Sequence, residues 1–266
     1  MTVTVSTFYK FTSITDTAAL KAEVAAFGCS LGIRGSILIA GEGINATVSG
    51  SGDSIARLLT WLRSDIRINE FDSKESVTQS HPFRRLKVKV KPEIVTFGRP
   101  DILPSAGAGK YVRPENWNAL IAAPDVVVVD TRNSYETCIG TFPGALDPKT
   151  ETFGAFAAFA DEALDPQRHR RVAMFCTGGI RCEKATAYLR SKGFEDVYHL
   201  QGGILKYLEV VPQSESLWQG ECFIFDDRIA LDHDRNPSAY RLCSVCGQPV
   251  RGGGGKGLKQ RCPKCG

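Results

Sequence analysis

Cys176-Thr-Gly-Gly-Ile-Arg181 places a cysteine directly after an apolar run, Val172-Ala-Met-Phe175, and directly before a helix-forming segment. A reactive thiolate is built in such a place. Backbone N–H groups of a tight glycine loop and the N-terminus of the next helix converge on the sulfur, and Arg181 adds a full positive charge. Each favours thiolate over thiol. Cys176 and Arg181 are therefore the candidate catalytic residues, with Thr177, Gly178, Gly179 and Ile180 forming the loop between them. Cys182 follows in the first turn of the helix. It is either a small buried helix residue or a thiol able to resolve an oxidised Cys176 as a disulfide. Buried structural cysteines at strand ends are common, but that reading leaves the glycine pair, the arginine and the helix unexplained.

Near the end of the chain, Cys243-Ser-Val-Cys246 and Cys262-Pro-Lys-Cys265 are separated by fifteen residues. Two Cys-x2-Cys pairs at this distance fit a structural zinc ribbon, with Cys243, Cys246, Cys262 and Cys265 as ligands. The glycines at 252–255 then supply the hairpin tip. Four thiolates close the coordination sphere, so the expected zinc is structural. The four histidines, His81, His169, His199 and His233, are scattered without ligand spacing, and no flavin or haem signature is visible.

Two basic stripes point toward a polyanionic partner. Arg84, Arg85, Lys87, Lys89 and Lys91 crowd one short segment, and residues 241–266 hold six Lys and Arg with no Asp or Glu. The net charge of +4 on 266 residues argues only weakly in the same direction. Such stripes can follow a phosphate backbone, or they can be a solvated strand face and a basic metal knuckle. Nine cysteines, most of them unclustered, do not resemble a disulfide framework. No apolar run approaches the roughly 20 residues of a membrane span, and Met1-Thr-Val-Thr-Val lacks the pattern of a signal peptide. The expected location is the cytoplasm.

These residues need elements to position them. Strand Thr4–Tyr9, a helix from Thr17 to Phe27 capped by Asp16 and stopped by Gly28, and Ser36–Ala40 with its hairpin partner Glu42–Val48 come first. Next are a helix capped by Asp53, with Ile55, Leu58, Leu59 and Leu62 on one face, and strands at Ser73–Gln79 and Arg85–Lys91. The order predicts a ferredoxin-like split βαβ sandwich over residues 1–100, with one sheet face under helices and the other open to a partner. Residues 101–112, rich in Pro, Gly and Ala, read as a linker. From 113 to 212, strands at Val126–Val129, Arg171–Cys176 and Val197–Leu200 alternate with helices at Glu115–Ala122, Thr152–Leu164 and Cys182–Lys192. The four-valine run predicts a parallel strand buried on both faces. Residues 213–266 form a C-terminal extension carrying the cysteine knuckle. The whole is an α/β and α+β multidomain chain.

The six-residue loop from Cys176 to Arg181 is one residue shorter than the Cys-x5-Arg cradle that holds phosphate in cysteine phosphatases. With Val126–Arg132, Tyr135-Glu136, Ile139-Gly140-x3-Gly144-Ala145 and Leu200-Gln-Gly-Gly-Ile204 around it, this region resembles the rhodanese family. Other motifs extend the likeness: Gly41-Glu-Gly-Ile-Asn45, Phe83-x4-Val88-Lys-x-Lys91-x-Glu93-Ile-Val95, Cys176-Thr-Gly-Gly-Ile-Arg-Cys-Glu-Lys184 and Gly220-Glu-Cys-Phe-Ile-Phe-Asp226-x-Arg228. Across essentially the whole chain they resemble the rhodanese-domain family of tRNA uridine hydroxylases. That resemblance implies oxygen-dependent formation of 5-hydroxyuridine at the wobble position of tRNA, with Cys176 as the catalytic cysteine. It implies molecular oxygen as cosubstrate, an electron donor the sequence does not name, and the tRNA anticodon loop as partner. The acylphosphatase-like N-terminal domain, with Arg84, Arg85, Lys87, Lys89 and Lys91, is expected to contact RNA. The competing classes are a persulfide-carrying sulfurtransferase and a non-enzymatic tRNA-binding scaffold. The sequence does not fix the oligomeric state.

Overall fold

The computed structural model describes residues 2–252 together with Cys262 and Cys265. The basic residues Lys256, Lys259, Arg261 and Lys264 and the expected hairpin tip at 253–255 lie outside the described residues. The chain divides into two compact units: residues up to Gly109 with Ile180–Gly193, and residues 110–179 with those from Phe194 onward.

The first unit is built on β1 (Val3–Phe11), α1 (Thr17–Ser30), β2 (Arg34–Ala40), β3 (Gly43–Gly50), α2 (Gly52–Ser64), β4 (Ser73–Thr78) and β5 (Leu86–Val90). The strand order is β4-β1-β3-β2-β5, antiparallel except for β5, which runs parallel to β2 at one edge. The first four strands and two helices make the expected ferredoxin-like sandwich. Alternation sends Phe8, Ile37, Ile39, Ile44, Ala46 and Val48 to one face, where they pack with Leu20, Val24, Ile55, Leu58 and Leu62 of the helices.

Two helix boundaries differ from expectation. Gly28 does not stop α1, which runs on to Ser30. A β-carbon on Gly28 would lie 2.8 Å from the Leu86 side chain, so this glycine lets helix and edge strand approach closely; Gly32, at φ +66°, makes the turn that follows. The cap of α2 is Ser51, whose hydroxyl accepts from the Ser54 N–H at 3.1 Å, and Asp53 sits inside the first turn.

The second unit begins with β6 (Lys110–Val112), inside the stretch read as a linker. It continues through α3 (Pro114–Ile121), β7 (Val126–Asp130), α4 (Ser134–Thr137), β8 (Gly140–Thr141), α5 (Phe156–Ala163) and β9 (Arg171–Phe175). Helix α6 (Ile180–Ser191) follows in sequence but belongs to the first unit. Then come β10 (Asp196–Leu200), α7 (Gly203–Val210) and the short strands β11 (Gln219–Gly220), β12 (Cys222–Phe223), β13 (Ala230–Leu231), β14 (Tyr240–Leu242) and β15 (Pro249–Arg251). The sheet is parallel with order β6-β10-β9-β7. The four-valine strand β7 is thus an edge strand, with Val126 and Val127 only half-buried. Its outer edge is satisfied by Leu146, which donates to the Val128 carbonyl at 2.8 Å and accepts from the Asp130 N–H at 3.0 Å. The strand buried throughout Val172–Phe175 is β9, which ends just before Cys176.

Candidate active site and cysteine cluster

Cys176 emerges from β9 fully buried. The chain turns at Gly179, whose φ of +100° favours glycine and whose N–H donates to the Cys176 sulfur at 3.1 Å. This is the N–H donation toward sulfur that the loop motif leads one to expect. From behind, the N–H groups of Ile204 and Leu205 hold the carbonyls of Cys176 and Thr177, each at 3.0 Å. The start of α7 therefore acts as a seat for the loop.

Gly203 makes that seat possible. It has φ +68°, and a β-carbon there would lie 2.5 Å from the Cys176 carbonyl oxygen and 2.7 Å from Gly179 N. Both neighbours are backbone, so neither can yield cheaply. Gly203→Ala is expected to lower stability by about 1–3 kcal/mol and to displace the loop, cutting any Cys176-dependent activity more than tenfold. Urea unfolding and rate measurements on the same preparation check both parts.

The loop is also fixed from its front. Thr177 Oγ1 donates to Glu136 Oε1 at 3.2 Å and lies 3.4 Å from the Phe223 carbonyl. Glu136, fully buried, uses its other oxygen to accept from the Asn133 N–H at 3.1 Å, completing the capping box of α4. Beside it Arg132 grips Asp130 with Nε and Nη2, at 2.9 and 2.6 Å, and donates to the Gly140 carbonyl at 2.6 Å. Burial works against the guanidinium charge, but Asp130 and Glu136 outweigh it and hold the Arg132 pKa above its ordinary value. The guanidinium lies 5.1 Å from the centroid of the Trp218 ring. Asp130 and Arg132 are thus a buried clamp for the strand end rather than reacting groups.

In the first unit, α6 carries Arg181, Cys182, Glu183 and Lys184, all buried. The Lys184 ammonium, fully buried, meets Glu42 Oε2 at 2.8 Å and Glu93 Oε2 at 2.5 Å. Both carboxylates are further satisfied: Glu42 accepts from the Ile94 N–H, and Glu93 from those of Phe97 and Gly98. Tyr9 donates to Glu183 at 2.8 Å, the Gly109 N–H donates to Thr186, and Phe97 packs edge-on against Tyr188. The sheet face expected to be open therefore carries α6 contacts at Tyr9. Its other positions Val5, Ser49 and Lys74 are also buried. The Gly41–Asn45 turn holds this helix through Glu42. Glu42, Glu93 and Lys184 each belong to one of the sequence motifs, but no local pattern pairs residues so far apart.

The sulfurs of Cys243, Cys246, Cys262 and Cys265 all lie within 4.8 Å of one another. Cys243 and Cys265 are 3.7 Å apart, and Cys246 and Cys262 3.3 Å. A tetrahedron of thiolates around zinc has edges of about 3.8 Å, so the four residues fit the ion. N–H groups of Cys246 and Val245 aimed at Cys243 bring its thiol down to about 6, a donor ready to bind at neutral pH. The neighbouring sulfurs push Cys265 up to about 12, the repulsion a divalent cation would relieve. Purified protein is expected to carry one zinc per chain. A chelator should make the four thiols reactive toward a thiol reagent together; independent, zinc-insensitive reactivity would contradict this.

Arg84, Arg85, Lys87, Lys89 and Lys91 are all exposed, at and around the edge strand β5. Leu86 and Val88 face the helices, so Lys87 and Lys89 point to the opposite side. None of the five makes an ion pair with another described residue. They lie away in sequence from the loop residues 176–179, and the two sets belong to different units.

Comparison with known proteins finds two domains, the second of which includes the Ile180–Gly193 segment of the first unit. Residues 3–94 match the UPF0176 acylphosphatase-like domain, and residues 114–209 match the rhodanese-like domain. The chain is thus a rhodanese-domain protein with an acylphosphatase-like domain before it. This is the architecture of the tRNA uridine hydroxylase family, UPF0176. Among solved structures, the rhodanese-like domain of an Anabaena protein is 20% identical over 41% of this chain and 78% of its own, with a TM-score of 0.35. A Rhodopseudomonas palustris protein described as a possible tyrosine phosphatase is 25% identical over 45% of this chain and 95% of its own, at 0.34. The BLUF protein BlrP1, of Klebsiella pneumoniae, is 17% identical over 34% of this chain and 64% of its own, at 0.31. The chain spans less than two thirds of BlrP1, and at such TM-scores nothing about function follows from these likenesses. The rhodanese-like domain and its cysteine loop fit a catalytic cysteine in sulfur or oxygen transfer. No helix among the described residues is long and apolar enough to cross a membrane.

Proposed function

We propose that the protein hydroxylates the wobble uridine of tRNA at carbon 5, with Cys176 as nucleophile and molecular oxygen as cosubstrate. The observation that carries this reading is the pairing, in one chain, of the UPF0176 acylphosphatase-like domain with a rhodanese-like domain whose loop presents Cys176.

The chemistry follows from the base. Carbon 5 of uracil is not acidic, but addition of the Cys176 thiolate to carbon 6 turns the ring into an enolate that is nucleophilic at carbon 5. N–H groups of the loop, or Arg181, stabilise the charge on the pyrimidine carbonyl. Once carbon 5 bears oxygen, loss of its proton and expulsion of Cys176 restore the aromatic base. Inserting one oxygen atom of O2 and releasing the other as water consumes two electrons and two protons. An external reductant supplies the electrons. An anticodon loop is already single-stranded, so extruding its wobble base costs little.

The basic edge strand is the proposed binding surface for the RNA backbone, together with the C-terminal cysteine cluster, where zinc would serve structure only. Every phosphate that a cationic side chain no longer neutralises reduces the slope of log affinity against log salt by about 0.7 for a single strand. The double variant Lys87→Ala, Lys89→Ala should therefore bind an anticodon stem-loop more weakly, with a shallower slope; an unchanged slope would remove β5 from the interface.

The function itself is tested by mass spectrometry of tRNA nucleosides from cells lacking the protein, rescued with the parent or with Cys176→Ala. Return of 5-hydroxyuridine only with the parent is expected. Thiocyanate formation from thiosulfate and cyanide, with no oxygen-dependent change in tRNA, would instead establish a sulfurtransferase, the reading favoured by the six-residue loop taken alone.

A further inference from the structure

The Gly220–Arg228 motif has no role in the chemistry above, yet it lies against the cysteine loop. The carbonyl of Phe223 is 3.4 Å from the Thr177 hydroxyl. Phe223 belongs to the small hairpin of β12 and β13, where Cys222 pairs with Leu231 and Phe223 with Ala230.

The turn of that hairpin is pinned. Ile224 donates to the Ile229 carbonyl at 2.8 Å, and Ile229, at φ +67°, donates to the Asp226 carbonyl at 3.0 Å. Arg228 closes on Asp226 through its backbone N–H, Nε and Nη2, at 3.0, 2.9 and 2.6 Å. The same Asp-x-Arg clamp holds the end of β7, and Asp65 and Arg67 form it again in the turn after α2. Inside the clamped turn Phe225 is 59% exposed. Its ring is fixed edge-on against Phe223, 5.3 Å between centroids, and Phe223 is fixed in turn against Tyr135 at 5.2 Å. Tyr135 precedes Glu136, the carboxylate that holds Thr177.

Single exposed apolar residues are ordinary, and Ile66 and Val245 are more exposed than Phe225. Neither is an aromatic ring anchored to other rings beside the loop that presents Cys176. A rigid aromatic face next to a nucleophile is a platform on which a single-stranded base can stack.

We infer that Phe225 is a base-stacking residue: it takes a nucleobase of the single-stranded substrate loop next to the uridine that reaches Cys176. The assignment rests on the RNA reading of the site. It adds an interaction with the base rather than with phosphate, which the basic strand cannot supply.

The test uses the full chain and an anticodon stem-loop RNA carrying 2-aminopurine beside the wobble uridine, whose fluorescence is quenched by stacking on an aromatic ring. The parent should quench it on binding. Phe225→Ala and Phe225→Leu should lose the quenching and bind about five- to 150-fold more weakly, while Phe225→Trp keeps both. Melting temperatures should fall only by the few degrees that loss of one edge-on aromatic contact brings, and equally in the Ala and Leu variants. Parental affinity and quenching in Phe225→Ala, or equal behaviour of the Leu and Trp variants, would overturn the assignment while leaving the RNA reading intact. A parent protein that does not bind the stem-loop at all would remove both.

Discussion

Cys176→Ala is expected to abolish 5-hydroxyuridine formation, a loss on the order of 10³-fold or more, while the protein folds and binds tRNA as before. The size follows from the role. No second group within the loop can form a covalent bond to carbon 6, and without the adduct carbon 5 is not nucleophilic. Folding should survive because the loop is held through backbone: the carbonyls of Cys176 and Thr177 by Ile204 and Leu205, and the side chain of Thr177 by Glu136. Losing the sulfur removes the acceptor of the Gly179 N–H but leaves these backbone bonds in place. Single-turnover assay and equilibrium binding on the same RNA separate the two effects. Comparable loss of affinity would mean that the cysteine is structural.

Lys184→Met carries the second large effect. Removing the ammonium leaves Glu42 and Glu93 facing each other with no cation between them, and breaking a buried pair in this way costs about 3–5 kcal/mol. Methionine keeps the volume, so the loss reports charge rather than packing. The triple variant Lys184→Met, Glu42→Gln, Glu93→Gln should recover much of the stability, because the stranded charges go with their partner. Equal stability of single and triple variants would contradict the account. Acid should act on the same cluster. Burial raises the Glu93 carboxyl, but Lys184 and the N–H groups of Gly98 and Phe97 more than offset this and hold it below the ordinary carboxylate range. A lowered folded-state pKa gives stability that is present above the unfolded value and lost as pH falls through the folded one. Glu93→Gln should therefore flatten the acid limb of the stability profile.

How much of this was legible beforehand follows from the reach of each signal. The loop was legible because a strand, a glycine turn and a helix start are all encoded within a dozen residues around Cys176. The sandwich was legible because alternation in β1, β2 and β3 and the spacing of Ile55, Leu58 and Leu62 in α2 agree on one buried face. The four cysteines announced themselves by spacing alone. Long-range partners were not legible: nothing near Lys184 points to Glu42 or Glu93, and nothing near Gly203 says that a β-carbon there would strike the Cys176 carbonyl. Gly28 misled for a related reason. A glycine near a helix end reads as a stop, whereas here it answers to Leu86, a residue of β5. The valines of β7 misled because hydrophobicity cannot tell a central strand from an edge whose backbone is sealed by Leu146.

The most direct test of the central claim, that the Cys176 sulfur bonds to the wobble uridine, is to incubate the protein with an anticodon stem-loop carrying 5-fluorouridine at that position and weigh the product. Fluorine cannot leave carbon 5 as a proton does, so the adduct should persist as a protein–RNA species mapped to Cys176 and absent from Cys176→Ala. An RNA that is bound but never linked to Cys176, under conditions where unmodified uridine is hydroxylated, would contradict the account.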